Sequence, residues 1–309
     1  MLFDESVLRK LEQLSLVAQR VRAGVIKGER RSTKRGAAIE FADYRNYSRG
    51  DDLRRVDWNI YARLERPFIK LLEEEEDLAV HLLLDASGSM DWGEAAYHKW
   101  RYGLRLAGAL AQIGLSTGDR VTVQCVSPDR GNKRGGKFGP VRGRGHIFRL
   151  LNWLAGQTAG GATNLNAALR AYAHSGVRPG LALLISDLWS PAGFRDGVTA
   201  LQARGHEVGI IHLLSPDELD PPLGGDLRLV DTETGEAQEV SMDRPMRDLY
   251  RRRVNDWRNE TAGWCRGREL YYVPVSTQLP WEQLVLQTLR TQGMVGRQGT
   301  IHGQRPLFG

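Results

Sequence analysis

Apolar residues recur along this chain in two rhythms. Val7, Leu8, Leu11, Leu14, Val17, Ala18 and Val21 fall at helical spacing with a basic opposite face, which predicts one amphipathic helix over residues 4–23. Residues 24–66 lose that period and are rich in Arg, Asp, Tyr and Gly, so irregular structure with short strands is expected. Arg66–Leu72 predicts a strand, and the acidic run Glu73–Asp77 a solvated turn rather than a cation site. From Leu78 onward strands and helices alternate. Leu78–Leu84 and Leu181–Ser186 are near-continuous apolar runs, as strands buried on both faces require. Arg120–Val126, Val208–Leu214 and Leu270–Val275 predict further strands. Helices are expected over 94–115, His146–Ala155, Asn164–His174, Pro191–Ala203 (with Pro in its first turn), 243–263 and Trp281–Arg290. Glycines and basic residues up to about 145 read as a loop or hairpin, and Leu227–Val240 as a hairpin turned at Glu233–Gly235. This alternation predicts an α/β fold: a doubly wound, mostly parallel, Rossmann-like sheet with helices on both faces. The expected division is an N-terminal helix and irregular segment over 1–77, the α/β domain over 78–295 and a tail over 296–309.

Composition narrows the class. With 41% hydrophobic and 26% charged residues the chain has enough apolar material for one substantial core. No run approaches the roughly 18 apolar residues of a membrane helix. The opening Met-Leu-Phe-Asp-Glu lacks a basic region followed by an apolar core, so neither a membrane span nor a secretory signal is expected, and the cytoplasm is the expected compartment. Cys125 and Cys265 show no metal-ligand spacing, and Cys125 reads as a small buried hydrophobe. Residues 129–149 carry Arg130, Lys133, Arg134, Lys137, Arg142, Arg144 and Arg149 against Asp129 alone, an excess equal to the whole chain's net charge of +6. A solvated basic loop is the preferred reading. Nucleic-acid binding through 130–149 is an alternative, opposed by the scarcity of interleaved aromatics, with Phe138 and Phe148 the only candidates.

The chemistry gathers at strand ends. In doubly wound sheets a ligand binds outside the carboxyl ends of the strands, at the switch in strand order. The first core strand ends in Asp85-Ala-Ser87-Gly-Ser89, another ends in Asp187, and Gly160-Gly161-Ala-Thr163 puts a hydroxyl on a glycine-permitted loop before a helix. Asp85, Ser87, Ser89, Thr163 and Asp187 are all hard oxygen donors, which suits Mg²⁺ or Mn²⁺ and leaves room for a further oxygen ligand. A partner's Asp or Glu carboxylate would fill that position and add the missing negative charge. Helix capping is the competing reading for Asp85, Ser89 and Thr163 taken singly. It does not account for five such residues on three loops.

These five positions, in this order, resemble the metal-ion-dependent adhesion site of von Willebrand factor A domains, over about residues 78–290. The resemblance implies that Ser87, Ser89 and Thr163 touch the ion directly or nearly so, with Asp85 and Asp187 often acting through water. Upstream, Arg35-Gly36, Glu40-Phe41, Tyr44 to Tyr47, Gly50-Asp51-Asp52, Arg54 to Trp58 and Ala62-Arg63 resemble the signature of an uncharacterised bacterial family. Its members carry this segment ahead of such a domain and are typically encoded beside MoxR-type AAA+ ATPases. That resemblance implies an adaptor or client of such an ATPase, in assembly or stress tolerance. Arg45, Asp51, Asp52, Arg54, Asp57 and Trp58 are the candidate interaction surface. The preferred reading of their charges, with Arg55, is a structural ion-pair network over packed Phe41, Tyr44, Tyr47 and Trp58.

Enzyme motifs fail on inspection. Gly131 to Lys137 has the spacing of a phosphate loop, but Phe138 stands where Ser or Thr is needed and Pro140 forbids the helix. An aspartyl phosphatase needs a second Asp where Ser87 stands, and a hydrolase elbow needs Gly where Asp85 stands. His174, His206 and His212 show no zinc spacing. A metal-dependent protein-interaction module without catalysis is therefore the expectation, and a metal-dependent hydrolase is the alternative.

Overall fold

Strand runs as apolar as Leu82-Leu83-Leu84 and Leu183-Leu184-Ile185 are stable only where both faces are covered, and the fold is arranged around that demand. Of the 309 residues, the computed structural model describes 3–18, 39–48, 56–74, 77–94, 97–126, 136–162, 164–222, 224–230 and 237–297. Contacts group Met1–Lys27 with Leu78–Gly309 as one unit and leave Gly28–Asp77 as another. The expected segment 1–77 is thus divided, its first helix belonging with the sheet.

The chain opens with α1 (Glu5–Leu11) and β1 (Leu14–Leu16). The expected helix over 4–23 therefore ends early. Leu11, Leu14 and Val17 suit a helix, but Leu14 and Leu16 are also spaced for a strand, and both are buried. In the small unit, β2 (Ile39–Asn46) and β3 (Phe68–Glu74) pair antiparallel around α2 (Trp58–Leu64). The backbone of Glu73 and Glu74 is in β3, opposite Glu40 and Ile39, not in a turn.

The large unit continues with β4 (Ala79–Asp85), a 3₁₀ turn at Gly88–Met90, α3 (Lys99–Ser116), β5 (Arg120–Val126) and β6 (Lys137–Arg142). Next come a 3₁₀ turn at Arg144–His146, α4 (Ile147–Ala155), α5 (Leu165–His174), β7 (Leu181–Ser186), α6 (Arg195–Ala203) and β8 (Glu207–Leu214). The chain then forms α7 (Pro216–Leu219), the hairpin β9 (Gly225–Val230) and β10 (Ala237–Met242), α8 (Arg244–Gly267) and β11 (Tyr271–Ser276). A final helix comprises α9 (Trp281–Gln283), a π turn at Leu284–Thr288 and α10 (Leu289–Thr291). β12 (Val295–Arg297) pairs antiparallel with β1, so the first residues of the expected tail 296–309 are part of the fold. Two helices start later than their sequence suggests. Gly193 at φ +69° breaks the turn after Pro191, so α6 begins at Arg195, and α3 begins at Lys99 after Gly93 at φ +101°.

The central sheet has the order β11-β8-β7-β4-β5-β6, parallel except for β6, with helices on both faces. It is the expected doubly wound α/β architecture. Alternation divides the strands between two cores. Leu82, Leu84, Leu181, Leu183 and Ile185 join the side built from α1, α3, α4 and the final helix. Leu83, Ala182, Leu184, Val208 and Ile210 join the side built from α5, α6 and Cys265 of α8. Cys125 is buried, as its alternation suggested. α3 is buried along nearly its whole length, with only Arg101 and Arg105 of its 18 residues exposed. From β4 the chain crosses one way to β5, then returns past β4 to β7. The switch in strand order lies between the carboxyl ends of β4 and β7.

Two tests follow from this packing. A Cβ added at Gly180 would stand 2.0 Å from the carbonyl oxygen of Ala79, where β7 enters the sheet beside β4. Gly180→Ala is expected to lower stability by about 1–3 kcal/mol by overpacking, whereas Gly156→Ala, whose nearest contact would be 3.5 Å, is neutral; denaturant melts of the two compare them. His81, buried in β4, donates from Nε2 to the Arg178 carbonyl at 2.9 Å and accepts at Nδ1 from the Tyr172 hydroxyl at 2.7 Å. Burial, then the neighbouring His206, holds its pKa down at about 4 from 6.5. The unfolded chain therefore takes up this proton first as pH falls, so the stability is full above pH 6.5 and is lost toward pH 4. Urea unfolding at pH 7.5 and pH 5 is expected to differ by about 2 kcal/mol from this group, with a flatter profile in His81→Gln.

Candidate functional site

At the switch point the sheet delivers two carboxylates that water does not reach. Asp85 ends β4 and Asp187 follows β7, and both are fully buried. Asp85 accepts hydrogen bonds from the Ser87 amide at 3.0 Å and the Ser186 hydroxyl at 2.6 Å. These bonds fold the loop back so that the Ser87 and Ser89 hydroxyls lie 3.0 Å apart, Ser87 buried and Ser89 half-buried. The loop leading to Thr163 is tied to the same place: the Gly88 amide donates to the Gly161 carbonyl, and the Gly160 amide to the Ala86 carbonyl, each at 2.9 Å. Gly160 and Gly161 adopt φ +148° and +88°, which a side chain would resist. Thr163 itself lies outside the described residues. Four of the five expected donors are thus on one edge, and none of Asp85, Ser87 or Asp187 makes a helix-capping side-chain bond.

Asp187 is held from several directions. Its Oδ1 accepts from the Trp189 amide at 3.1 Å, and its carbonyl accepts from His212 Nε2 at 3.0 Å. His212 is buried, its pKa is pushed down to about 3 chiefly by that burial, and its Nδ1 accepts from the Tyr272 hydroxyl at 2.7 Å. It is therefore a neutral strut. Between them Leu188 is forced to φ +59°, a left-handed conformation that a leucine adopts only when its surroundings impose it. The Ser186 hydroxyl, which accepts from the Leu188 amide at 2.8 Å while donating to Asp85, stabilises that turn.

Sequence reasoning missed two members of the site. Lys99, the first residue of α3, is fully buried, with Nζ 2.6 Å from Asp187 Oδ2 and 2.5 Å from Glu218 Oε1. Glu218, in α7, is fixed in turn. Its Oε2 accepts from the Ser215 amide at 2.7 Å in a capping box, and its carbonyl accepts from the Tyr250 hydroxyl at 2.8 Å. A lysine at the head of a helix opposes the helix dipole, so these carboxylates must hold it there. The charges are unequal. Asp85, Asp187 and Glu218 stand against one ammonium, formally two negative charges in excess among the described residues. Burial, and then Asp187, pushes the Asp85 carboxyl up to about 7. Burial also raises Glu218, with Lys99 opposing. The clue in the sequence was a lysine at the head of a largely apolar helix, but Arg101 and Arg105 of the same helix look alike on paper and are exposed.

The other expected surface is only partly described. Asp51, Asp52 and Arg54 lie outside the described residues, and of Arg45 only the backbone, in β2, is described. Asp57 is buried and caps α2, accepting from the amides of Asn59 and Ile60. Trp58 is corrected: it was expected to pack beneath a charge network, and it is 60% exposed. As the first helical residue after that cap, it is turned outward and meets Tyr61 edge-on. Of the basic segment, Arg130, Lys133 and Arg134 lie outside the described residues. Arg142, Arg144 and Arg149 are exposed but stand on β6, the 3₁₀ turn and α4 rather than in one loop, and Phe138 packs against Trp153. Among the described residues no three His, Cys, Asp or Glu side chains form a metal cluster, so a cation here would depend on hydroxyl donors. No helix among them is long and apolar enough to cross a membrane.

Comparison with known proteins adds context. Residues 43–260 match the sequence profile of the family described as protein of unknown function DUF58. The uncharacterized proteins Mb1516 of Mycobacterium bovis and Rv1480 of Mycobacterium tuberculosis are each 28% identical over 306 residues, which is 98% of this chain and 93% of theirs. Among solved structures, the conserved hypothetical protein BatB from Bacteroides thetaiotaomicron aligns at 14% identity and TM-score 0.39, over 70% of this chain and 98% of that one. An aerotolerance-related membrane protein from Bacteroides fragilis, solved with multiple mutations to serines, aligns at 16% identity and TM-score 0.39, over 69% and 99%.

The buried ion pairs generate one test. Lys99→Met leaves Asp187 and Glu218 without their cation and is expected to destabilise by about 3–5 kcal/mol. Lys99→Met with Glu218→Gln should recover part of that loss, since the two residues act as one unit. Chemical unfolding of the single and double variants decides it, and additive effects would refute the coupling.

Proposed function

The chain belongs to the family described as protein of unknown function DUF58, and from that premise we propose that it is a protein-interaction module whose grip depends on a divalent cation, Mg²⁺ or Mn²⁺, held at the carboxyl edge of the sheet. The observation that carries this reading is the gathering of carboxylates: fully buried Asp85 and Asp187 with half-buried Glu218, met among the described residues by the Lys99 ammonium, beside two serine hydroxyls at a switch point. Carboxylates crowded out of water beyond what one ammonium offsets are costly, as the raised Asp85 carboxyl reflects, and a divalent cation would neutralise them. The donor set fits. Neighbouring ligands of an octahedral ion at 2.0–2.1 Å stand about 2.9 Å apart, and the Ser87 and Ser89 hydroxyl oxygens stand 3.0 Å apart. Ser87, Ser89 and Thr163 would hold the ion, with Asp85 and Asp187 supplying charge beside it. When bound, the ion supplies a hard Lewis-acidic position for a partner's Asp or Glu carboxylate.

The surroundings support binding over catalysis. His212, the histidine in contact with Asp187, has both ring nitrogens engaged and stays neutral, so it offers no base for activating water. Trp92, after the serine loop, and Trp189, after Asp187, are 49% and 39% exposed, the residue type that anchors protein interfaces. The MoxR-type AAA+ ATPase as partner, with this chain as its adaptor or client, rests on the resemblance of residues 35–63 alone.

Calorimetry with Mg²⁺ and Mn²⁺ tests the site. One ion is expected to bind the native chain, with affinity reduced at least tenfold in Ser89→Ala and in the near-isosteric Asp85→Asn. Pull-down of a MoxR-type ATPase should require the metal. Capture undiminished in excess chelator would remove the cation from the mechanism.

A further inference from the structure

The site contains a cation of its own, and its position has a consequence for any other. Lys99 Nζ sits 2.6 Å from Asp187 Oδ2 with no access to solvent. It is not a loosely tethered side chain. Its stem belongs to the buried face of α3, and both carboxylates that receive it are themselves anchored, Glu218 by the Ser215 amide and Asp187 by the Trp189 amide. The two oxygens of Asp187 are therefore both committed, Oδ2 to an ammonium and Oδ1 to a backbone N–H. Of the carboxylates at this edge, Asp85 is similarly committed, to the Ser87 amide and the Ser186 hydroxyl. Beside these already engaged carboxylates stand the neutral hydroxyls of Ser87 and Ser89, 3.0 Å apart.

We infer that Lys99 is a built-in counter-ion that withholds Asp187 from direct coordination, so that a bound divalent cation keeps its affinity for a carboxylate supplied from outside. This rests on the cation-binding reading above and goes beyond it by assigning the selectivity of the site to one residue. A divalent cation coordinated directly by several protein carboxylates has little remaining attraction for another anion. One coordinated by neutral hydroxyls, with its carboxylates engaged elsewhere, retains that attraction. Lys99 is therefore a positioning residue that acts through Asp187. In formal charge the cluster with Lys99 and Glu218 equals the cluster lacking both, so replacing the pair together by neutral residues frees Asp187 Oδ2 without changing the charge presented to the ion.

The test uses Mn²⁺ as the probe on the full chain, comparing native protein with Lys99→Met/Glu218→Gln. Calorimetry is expected to show Mn²⁺ bound at least tenfold more tightly by the double variant. Water-proton relaxation of the bound Mn²⁺ should show fewer coordinated waters, because a freed Asp187 replaces one. Added acetate should displace water from Mn²⁺ on the native chain and do so less on the variant. Equal or weaker Mn²⁺ binding by a folded double variant, with unchanged hydration, would overturn the role of Lys99 while leaving the cation site standing. Absence of Mn²⁺ binding to the native chain would instead overturn the cation site, and this inference with it. Circular dichroism checks folding, and Lys99→Gln/Glu218→Gln, whose amides can pair with each other, provides the same comparison if the methionine variant does not fold.

Discussion

A lysine ammonium without access to water persists only where carboxylates meet it at hydrogen-bond distance, and in this protein that requirement binds the functional edge together. Lys99 links the head of α3 to the end of β7 through Asp187 and to the segment after β8 through Glu218. Three elements far apart in the chain are thereby registered on one point. The arrangement is demanding, since removing either side leaves charge buried without a partner. It also leaves negative charge in excess, because Asp85 is buried close by with only hydroxyl and amide donors. The stability of the fold and the electrostatics of the site are thus one problem.

The sheet makes that concentration of charge possible. Parallel strands buried on both faces, as β4 and β7 are, leave their polar chemistry to the loops beyond their carboxyl ends. The return of the chain past β4 opens the gap between β4 and β7, and the serine loop, the Gly160-Gly161 loop and the Asp187 turn all meet there. Strain collects at the same place. Leu188 adopts a left-handed backbone within hydrogen-bond reach of the Ser186 hydroxyl, which also holds Asp85. A hydroxyl that serves both carboxylate loops couples their geometry.

Much of this was legible from periodicity. Runs such as Leu181–Ser186 and Leu78–Leu84 can be buried only as central strands, and the strand positions, the parallel architecture and the carboxylates at strand ends follow from them. The errors arose where one pattern suits two structures. Leu11, Leu14 and Val17 satisfy a helix, while Leu14 and Leu16 also satisfy the strand that pairs with Val295–Arg297, a partner about 280 residues away in sequence. Pro191 suits a helix start, yet Gly193 takes a left-handed turn first.

The sequence by itself determined the fold class, the strands at its centre and the oxygen donors at their ends, because those depend on local alternation and on residue type. Only the tertiary structure decided which charges share the site. Lys99, Arg101 and Arg105 lie on one helix and differ only in the face they present, and Glu218 reaches the site through the course of the chain after β8. Such long-range electrostatic pairing has no periodic signature, since it is selected by the packing of elements brought together in space and not by the spacing of residues along the chain.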